Sequence, residues 1–565
     1  MATRLSDLVR YLPARLRIEG TAKQTLETAR HRLVITGILF ALAFTIVALR
    51  LVDVTVLKDA GEPRLARAPK AELQMGRADI IDRNGVLLAT SLATASLYAN
   101  PKLVIDPADA AAKLARTLPG IDAKETAAKL ASDRSFVWIK RNLTPRQQYE
   151  VNRLGIPGLF FQREEHRVYP HGVLTSHVVG FTNIDNRGLA GIEQYYDEWL
   201  LQSSEPLQLS IDIRVQHLLR EELAASIDEF QAIGGAAMVL DLATGELLGM
   251  VSLPDFDANN PSQSPPENRF NRNTLGVYEP GSTFKIFNTA MALDYGVSTL
   301  ATSYDATKPI RVSRFTISDY KGQNRWLSVA EIFMYSSNIG SVRMMLDVGR
   351  DRQREFLDRL GFLKAPTIEL PEVAAPLVPS PWREVNAMTI SFGHGISVTP
   401  LQLVVGTAAI VNGGILRPVT LIKRRGDEPI PGERVISART SEQMRKLMRL
   451  VVEKGSGKSA NVPGYLVGGK TGTAEKIVNG RYKKDSRISS FVGAFPMNAP
   501  RFLVYAMLDE PKGNKSTFGY ATAGWVVAPM ISRIVSRIAA LYGIAPVDET
   551  EPAVRDQLLV NVAVR

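Results

Sequence analysis

Tyr278-Glu279-Pro280-Gly281-Ser282-Thr283-Phe284-Lys285 is the stretch on which the reading of this chain turns. Pro280 and Gly281 make a turn, and the run from Phe284 to Tyr295 carries apolar residues at helical spacing (Phe284, Phe287, Met291) until Gly296 stops it. The spacing predicts a helix over 283–295 with Ser282 and Lys285 on one face of its first turn. A serine hydroxyl is a weak nucleophile until a base takes its proton, and a buried lysine of lowered pKa is such a base. Ser282 is therefore read as a covalent nucleophile. The same spacing recurs at Ser318-Asp319-Tyr320-Lys321, but among polar residues with no helix-opening turn, and that copy reads as an exposed loop. Context has to discriminate between the two.

The chain has 565 residues, 45% hydrophobic and 22% charged, which fits two or three globular units. It has no cysteine, so disulfides, thiolate metal sites and cysteine catalysis are excluded. A net charge of +11 raises the question of nucleic acid, yet no arginine-rich arm or aromatic-basic interleaving concentrates it, and no nucleic-acid partner is expected. Residues 1–32 hold seven basic side chains (Arg4, Arg10, Arg15, Arg17, Lys23, Arg30, Arg32) against three acidic ones (Asp7, Glu19, Glu27), an asymmetry that points to a membrane.

From Leu33 to Leu49 there are seventeen residues without a charge, and Arg50-Leu51-Val52 extends the run to twenty if the arginine snorkels, enough to cross a bilayer core of about 30 Å. The basic flank lies N-terminal, so residues 1–32 are expected in the cytoplasm, 33–52 in the membrane and the rest outside. A cleaved signal peptide is the rival reading, with Ala41-Leu42-Ala43 as its cleavage site. That tripeptide sits in the middle of the apolar run, behind a basic segment too long for a usual signal. A buried core helix fits less well, because the run has no polar face.

Residues 53–205 read as short strands, loops and small helices: a hairpin around Asn84-Gly85 within Ala78 to Ala89, helices over 108–118 and 123–131, then turn-rich segments near Arg167 to Pro170, His177 to Phe181 and Gly188 to Glu193. His166, His171 and His177 have spacings that match no metal motif, and nothing here nominates a nucleophile, so the region is assigned to spacing and partner contact. The texture changes at Asp212, which caps a helix with the stripe Val215, Leu218, Leu219, Leu223, Ile227 and Phe230. Strands over 236–240 and 247–251 turn at Thr244-Gly245. Helices are expected near 283–295, 328–348, 400–412 and 440–454, strands over 465–473, 489–495 and 502–508, and a closing helix over 526–541. The expected fold of 206–545 is α+β, an antiparallel sheet flanked by helices. Residues 546–565 form a terminal segment that is either a flexible tail or, on the strength of Leu558-Leu559-Val560, packed back on the domain.

Two further motifs come after the serine. Ser336-Ser337-Asn338 falls at a break in a helical stretch, and Lys470-Thr471-Gly472-Thr473 ends a probable strand; Ser459-Ala460-Asn461 is a second Ser-x-Asn match read as a loop. The ordered set resembles the serine penicillin-recognising signature. Across nearly its whole length the chain is similar to the class B penicillin-binding proteins, monofunctional peptidoglycan D,D-transpeptidases, and most to the division-specific FtsI type. Gly76-Arg77 with Asp82 to Gly85, Arg167 to Pro170 and Gly188 to Glu193 resemble that family's pedestal boxes. Phe392 to Gly395, Thr399 to Gln402 and Ser490 to Gly493 resemble segments near its cleft.

The resemblance implies a single N-terminal anchor, an elongated pedestal of the dimerisation type and a penicillin-binding domain. It makes Ser282 the nucleophile, Lys285 its base, Ser336 a proton relay, and Asn338 a partner of Lys285 and of the acyl side chain. Lys470 supplies positive potential. Thr471, Gly472 and Thr473 bind the donor, Thr471 and Thr473 through hydroxyls, while the N–H groups of Ser282 and Thr473 form an oxyanion hole. No cofactor or metal is implied. The implied partners are stem peptides, β-lactams, the inner membrane, a polytopic glycan polymerase and other division proteins. His394 is left between lining the cleft and orienting its loop, and Ile286 stands where many relatives have proline. Alternatives are the elongation-specific transpeptidase, a β-lactamase or antibiotic sensor, and a protein that is chiefly a divisome scaffold. The moderate length and the stretch from Leu87-Leu88-Ala89 to Asn100-Pro101 favour the division branch.

Overall fold

The computed structural model describes residues 21–52, 76–312, 315–426, 428–478, 481–558 and 560. Arg4, Arg10, Arg15 and Arg17 of the basic segment, the stretch 53–75 and the last five residues lie outside the described part. The chain divides into two compact units, 1–74 and 75–565.

In the first unit a helix runs from Thr21 to Val52. Its apolar part, Ala29–Val52, is 24 residues long, about 36 Å at 1.5 Å per residue, and none of it is buried by protein. Both hydroxyls of this stretch are satisfied within the helix, Thr36 donating to the Arg32 carbonyl (2.8 Å) and Thr45 to that of Ala41 (2.7 Å). That is what a polar group needs where no water is available.

The second unit begins with the expected hairpin. Ile80–Ile81 pairs antiparallel with the 13-residue strand Leu87–Ala99. Its turn is closed by Asp82, whose Oδ1 accepts from the N–H groups of Asn84 (2.7 Å) and Val86 (2.8 Å). Leu87–Ala99 also pairs with Val137–Leu143 and Leu159–Val168. Helices Pro107–Thr117, Ala123–Leu130 and Pro145–Arg153 cover this sheet, burying Leu97, Ala99, Leu114, Leu130 and Val151 together. The helix starts are written in the sequence: Asp106, Asp122 and Thr144 cap them, and prolines occupy the first turn of two. The strand Leu159–Val168 escapes a pattern search, because Gln162-Arg163-Glu164-Glu165-His166-Arg167 is polar throughout and is held by its ten-residue ladder.

Arg77, Arg167 and Glu193, distant in sequence, meet in one buried cluster. The Glu193 carboxylate bridges the guanidinium of Arg77 and that of Arg167 (2.6 Å), and Arg77 also reaches Asp197 (2.7 Å). Arg167 donates further to the carbonyls of Arg77 (3.0 Å) and Ala78 (2.9 Å). The hairpin turn fastens the pedestal to the C-terminal domain, since the second oxygen of Asp82 accepts from the N–H of Ile213 (3.2 Å).

Ile213–Phe230 is the first helix of an α+β domain whose five-stranded sheet is antiparallel throughout, in the order Gly468–Val478, Arg481–Phe495, Phe502–Asp509, Gly234–Asp241, Leu247–Leu253. Its side chains alternate between two cores. Met238, Leu240, Leu503, Tyr505 and Met507 face the layer containing Phe284, Phe287, Val404 and Met448. Ala237, Val239, Phe502, Val504 and Leu508 face Val215, Leu219, Ile531 and Ile534.

The differences from the sequence reading have local causes. The strand expected at 465–473 runs from Gly468 to Val478 and pairs with Arg481–Phe495, so Lys470 lies within it and not at its end. The polar residues Glu475 to Arg487 conceal this ribbon. The helix expected over 328–348 is two, Val329–Tyr335 and Asn338–Val348, and the closing helix is Ala523–Val526 and then Ala528–Leu541, with Pro529 in the first turn of the second. The terminal segment is packed in its described part: Val554 and Leu558 join the core, and Glu549 pairs with buried Arg449 (2.8 Å).

Removing the shared carboxylate of the pedestal leaves buried Arg167 without a carboxylate partner and Arg77 with Asp197 alone. Glu193→Ala is expected to destabilise the protein by about 3 kcal/mol, read as a lowered urea midpoint. An unchanged midpoint would show that the cluster contributes no stability.

Candidate active site

The turn at Pro280-Gly281 is fixed by backbone contacts. Gly281 donates its N–H to the Gly393 carbonyl (3.1 Å), and a Cβ on Gly393 would lie 2.0 Å from the Gly281 oxygen, so only glycine allows this approach. On the other side a Cβ on Gly472 would meet the Thr283 methyl at 2.8 Å and the Pro280 carbonyl at 2.9 Å. The serine turn is thus gripped between the Gly393 loop and the Lys-Thr-Gly strand. Gly281–Phe284 is a 3₁₀ turn and the α-helix proper begins at Lys285, later than the expected 283; it ends at Asp294. Phe284, Phe287 and Phe362 pack edge to face beneath it, with ring centres 4.6–5.2 Å apart. Ile286 is wholly buried in the same core.

Lys285 is 1% exposed. Its Nζ stands 2.9 Å from Ser282 Oγ, 2.8 Å from the Ser336 carbonyl, 3.1 Å from Ser336 Oγ and 2.7 Å from Asn338 Oδ1. Lys470, also buried, lies 3.0 Å from Ser336 Oγ and 3.3 Å from the Thr471 carbonyl. The Ser336 hydroxyl therefore sits between two amines.

Electrostatics separates their proton affinities from those of lysines in water. Burial, then the charge of Lys470, holds Lys285 well below the ordinary lysine range, with the carboxylate of Asp319 working in the opposite direction. Burial brings Lys470 down to about 7. A neutral Lys285 has two N–H bonds and one lone pair. It can donate to Asn338 and Ser336 while accepting from Ser282, which is the arrangement needed to withdraw the serine proton.

Ser336 ends the helix Val329–Tyr335 in the left-handed conformation, φ 60°, uncommon for a residue with a side chain. The Ser337 N–H bonded to the Ile332 carbonyl (2.9 Å) and the Ser336 carbonyl bonded to Lys285 hold it there. Thr471 Oγ1 is 2.6 Å from Ser456 Oγ, and Thr473 Oγ1 accepts from the N–H of Ala523 (3.2 Å). Hydrogen bonds thus join Ser282, Lys285, Ser336, Asn338 and Lys470 directly, while Gly472 packs on the serine turn and the Thr471 and Thr473 hydroxyls bond to neighbouring residues.

His394 lies between the rings of Phe392 (5.4 Å) and Tyr482 (5.7 Å), with Nδ1 3.6 Å from the Glu279 carboxylate. Burial and the charge of Lys285 bring its pKa down to about 4, so it is neutral at neutral pH. Glu279 accepts from the N–H of Gly395 (2.7 Å) and the hydroxyl of Tyr482 (3.1 Å), which ties the loop to the serine turn. His177 is bonded to the carbonyl of Asn268 (2.9 Å) and His166 to the amide of Asn142 (3.2 Å). Asn461 of the second Ser-x-Asn match ends a short 3₁₀ turn and accepts from Arg449 (2.8 Å).

The second Ser-x-x-Lys copy has Ser318, Tyr320 and Lys321 exposed, as its polar surroundings suggest. Asp319 nevertheless bonds to the Ser336-Ser337-Asn338 turn, a role that sequence reasoning missed because Asp319 and Asn338 are 19 residues apart. Lys321 lies over the ring of Tyr520 (5.7 Å).

Residues 235–532 match the penicillin binding protein transpeptidase domain, and residues 72–204 match the penicillin-binding protein dimerisation domain. The chain is 41% identical over 482 residues to the probable peptidoglycan D,D-transpeptidase FtsI of Caulobacter vibrioides, covering 83% of this chain and 82% of that protein. It is 30% identical over 571 residues to the peptidoglycan D,D-transpeptidase FtsI of Escherichia coli K12, covering 94% and 95%. Among solved structures it is similar to penicillin binding protein 3 of Mycobacterium tuberculosis complexed with aztreonam, with a TM-score of 0.66, 25% identity, and 83% and 97% of the two chains covered. By its two matched domains and its likeness to these relatives over most of their length, the chain belongs to the class B penicillin-binding protein family.

Proposed function

We propose that this chain is a serine peptidoglycan D,D-transpeptidase that cross-links stem peptides in the septal wall. The observation that carries the reading is the desolvated amine of Lys285 held 2.9 Å from Ser282 Oγ. Ser282 attacks the penultimate D-Ala carbonyl of a donor stem peptide as its proton passes to Lys285. The bond to the terminal D-Ala breaks, and the leaving amine takes a proton relayed through Ser336, which contacts both lysines. The amino group of a second stem peptide then attacks the ester, forming the cross-link and returning the proton to Ser282.

Lys470 supplies the positive potential that keeps Lys285 neutral and draws the donor carboxylate, with the Thr471 and Thr473 hydroxyls and the Gly472 backbone alongside. The N–H groups of Ser282 and Thr473 form the oxyanion hole, each contributing about 3 kcal/mol of transition-state stabilisation. A β-lactam enters the same path and stops at the acyl-enzyme.

The apolar helix is a single-pass anchor in the inner membrane, with residues 1–32 cytoplasmic. The pedestal (53–205) carries the transpeptidase domain (206–545) on the periplasmic side. A polytopic glycan polymerase and other division proteins are its partners. The likeness to FtsI proteins favours the septal role over an elongation-specific one. A scaffolding role is compatible with catalysis, and the complete set of motifs argues against scaffolding alone.

Wild-type protein is expected to take up one fluorescent penicillin covalently and Ser282→Ala none; an unlabelled wild type would remove the enzymatic reading. The rate of acylation should rise with pH as Lys285 loses its proton, then fall as Lys470 deprotonates near pH 7. Lys470→Arg keeps its charge at all these pH values, so its acylation, although slower, should lose the alkaline limb. A limb that persists unchanged would mean that another group controls it.

A further inference from the structure

The loop Ser318-Asp319-Tyr320-Lys321 has no task in transpeptidation by Ser282, Lys285, Ser336 and Lys470. Its geometry gives it one. Asp319 Oδ1 accepts from the N–H groups of Asn338 (2.6 Å) and Ile339 (3.0 Å), and Oδ2 accepts from the hydroxyl of Ser337 (2.7 Å). The adjoining carbonyl of Ser318 accepts from Asn338 Nδ2 (3.0 Å).

These contacts decide how Asn338 is oriented. Its side-chain amide can present either oxygen or nitrogen to Lys285, and only the oxygen can accept a hydrogen bond from the amine. With Nδ2 occupied by the Ser318 carbonyl, Oδ1 faces Lys285 at 2.7 Å. The backbone of Asn338 and the preceding Ser337 are held by Asp319, and Ser336, one residue earlier, is kept in its left-handed conformation beside both lysines. Ser337 caps the helix Asn338–Val348 through its hydroxyl, and the carboxylate of Asp319 adds an anion where the first N–H groups of that helix are unpaired within it.

Charge gives a second link. The groups facing Lys285 are Lys470 from the strand, His394 from the Gly393–Gly395 loop, neutral at working pH, and Asp319 from this loop; Ser282, Ser336 and Asn338 contribute only dipoles. Two amines packed on one hydroxyl repel when both are protonated, and Asp319 is the carboxylate whose field offsets that repulsion.

We propose that Asp319 is a positioning residue for transpeptidation, clamping the Ser336-Ser337-Asn338 turn from outside so that Ser336 and Asn338 face Lys285, and supplying the negative charge that balances Lys470. The proposal rests on the reading of Ser282 as the acylated nucleophile. The hydrogen bonds of Asp319 go to Ser337, Asn338 and Ile339 and not to Ser282, so it acts through the turn and through its field.

The test uses the full-length protein in detergent with a fluorescent penicillin, comparing wild type, Asp319→Asn and Asp319→Ala for acylation rate against pH, final labelling stoichiometry and melting temperature. Asparagine can keep the hydrogen bonds and loses the charge. Its acid limb should move to lower pH, because Lys285 holds its proton less firmly without the carboxylate. Alanine loses both, and its rate should fall at least about ten-fold, with stoichiometry still reaching one because Ser282 is intact.

Wild-type rates and an unmoved acid limb in both variants would overturn the proposal. So would a lowered melting temperature in both with no change in the pH profile of Asp319→Asn, since Asp319 would then be merely structural. If the wild type itself fails to label, the reading of Ser282 falls and takes this inference with it.

Discussion

The arrangement of this protein depends on keeping one lysine amine out of water. In bulk solvent the Lys285 amine would be protonated at neutral pH and useless as a base; enclosed by the first turn of its helix, the Ser336 turn and the strand bearing Lys470, it loses the hydration that stabilises the charged form. An amine so enclosed has to be given partners, or its burial would leave polar atoms unmatched. Ser282, Ser336 and Asn338 are those partners, and they are also the groups to which the proposed reaction gives its chemistry. Packing and chemistry are therefore one requirement here, and the three motifs appear together because each closes a side of the same cavity.

The same economy holds at larger scale. The sheet divides its side chains between two cores, and the active site lies on the side of the helix that begins at Lys285. The pedestal is joined differently, by a buried carboxylate shared by two arginines, and its first hairpin turn bonds directly to the opening helix of the C-terminal domain. Segments that the sequence shows as separate boxes are, in space, the two ends of these contacts.

Much of this was legible in the sequence where a signal is local. The helices near 108–118 and 123–131, the turn at Asn84-Gly85, the break at Ser336-Ser337 and the serine turn all announce themselves within a few residues, whereas the helix Pro145–Arg153, opened by Thr144, was not anticipated. What escaped was set by partners far along the chain. The polar strand Leu159–Val168 and the ribbon beyond Lys470 are strands because of their ladders, not their composition. Asp319 looks like an ordinary loop acid until the turn it caps is folded beside it. The docking of Val554 and Leu558 was hinted at by a short apolar run, although the pairing of Glu549 with Arg449 carried no sequence mark.

The backbone grip on the serine turn also bears on how such a protein evolves under antibiotic selection. With no room for a single methyl group at Gly393 or Gly472, the innermost wall cannot be reshaped by substitution without moving the nucleophile itself. The exposed side chains of Phe518 and Tyr520 are free of that constraint, whereas Tyr482, though exposed, still reaches the serine turn through Glu279.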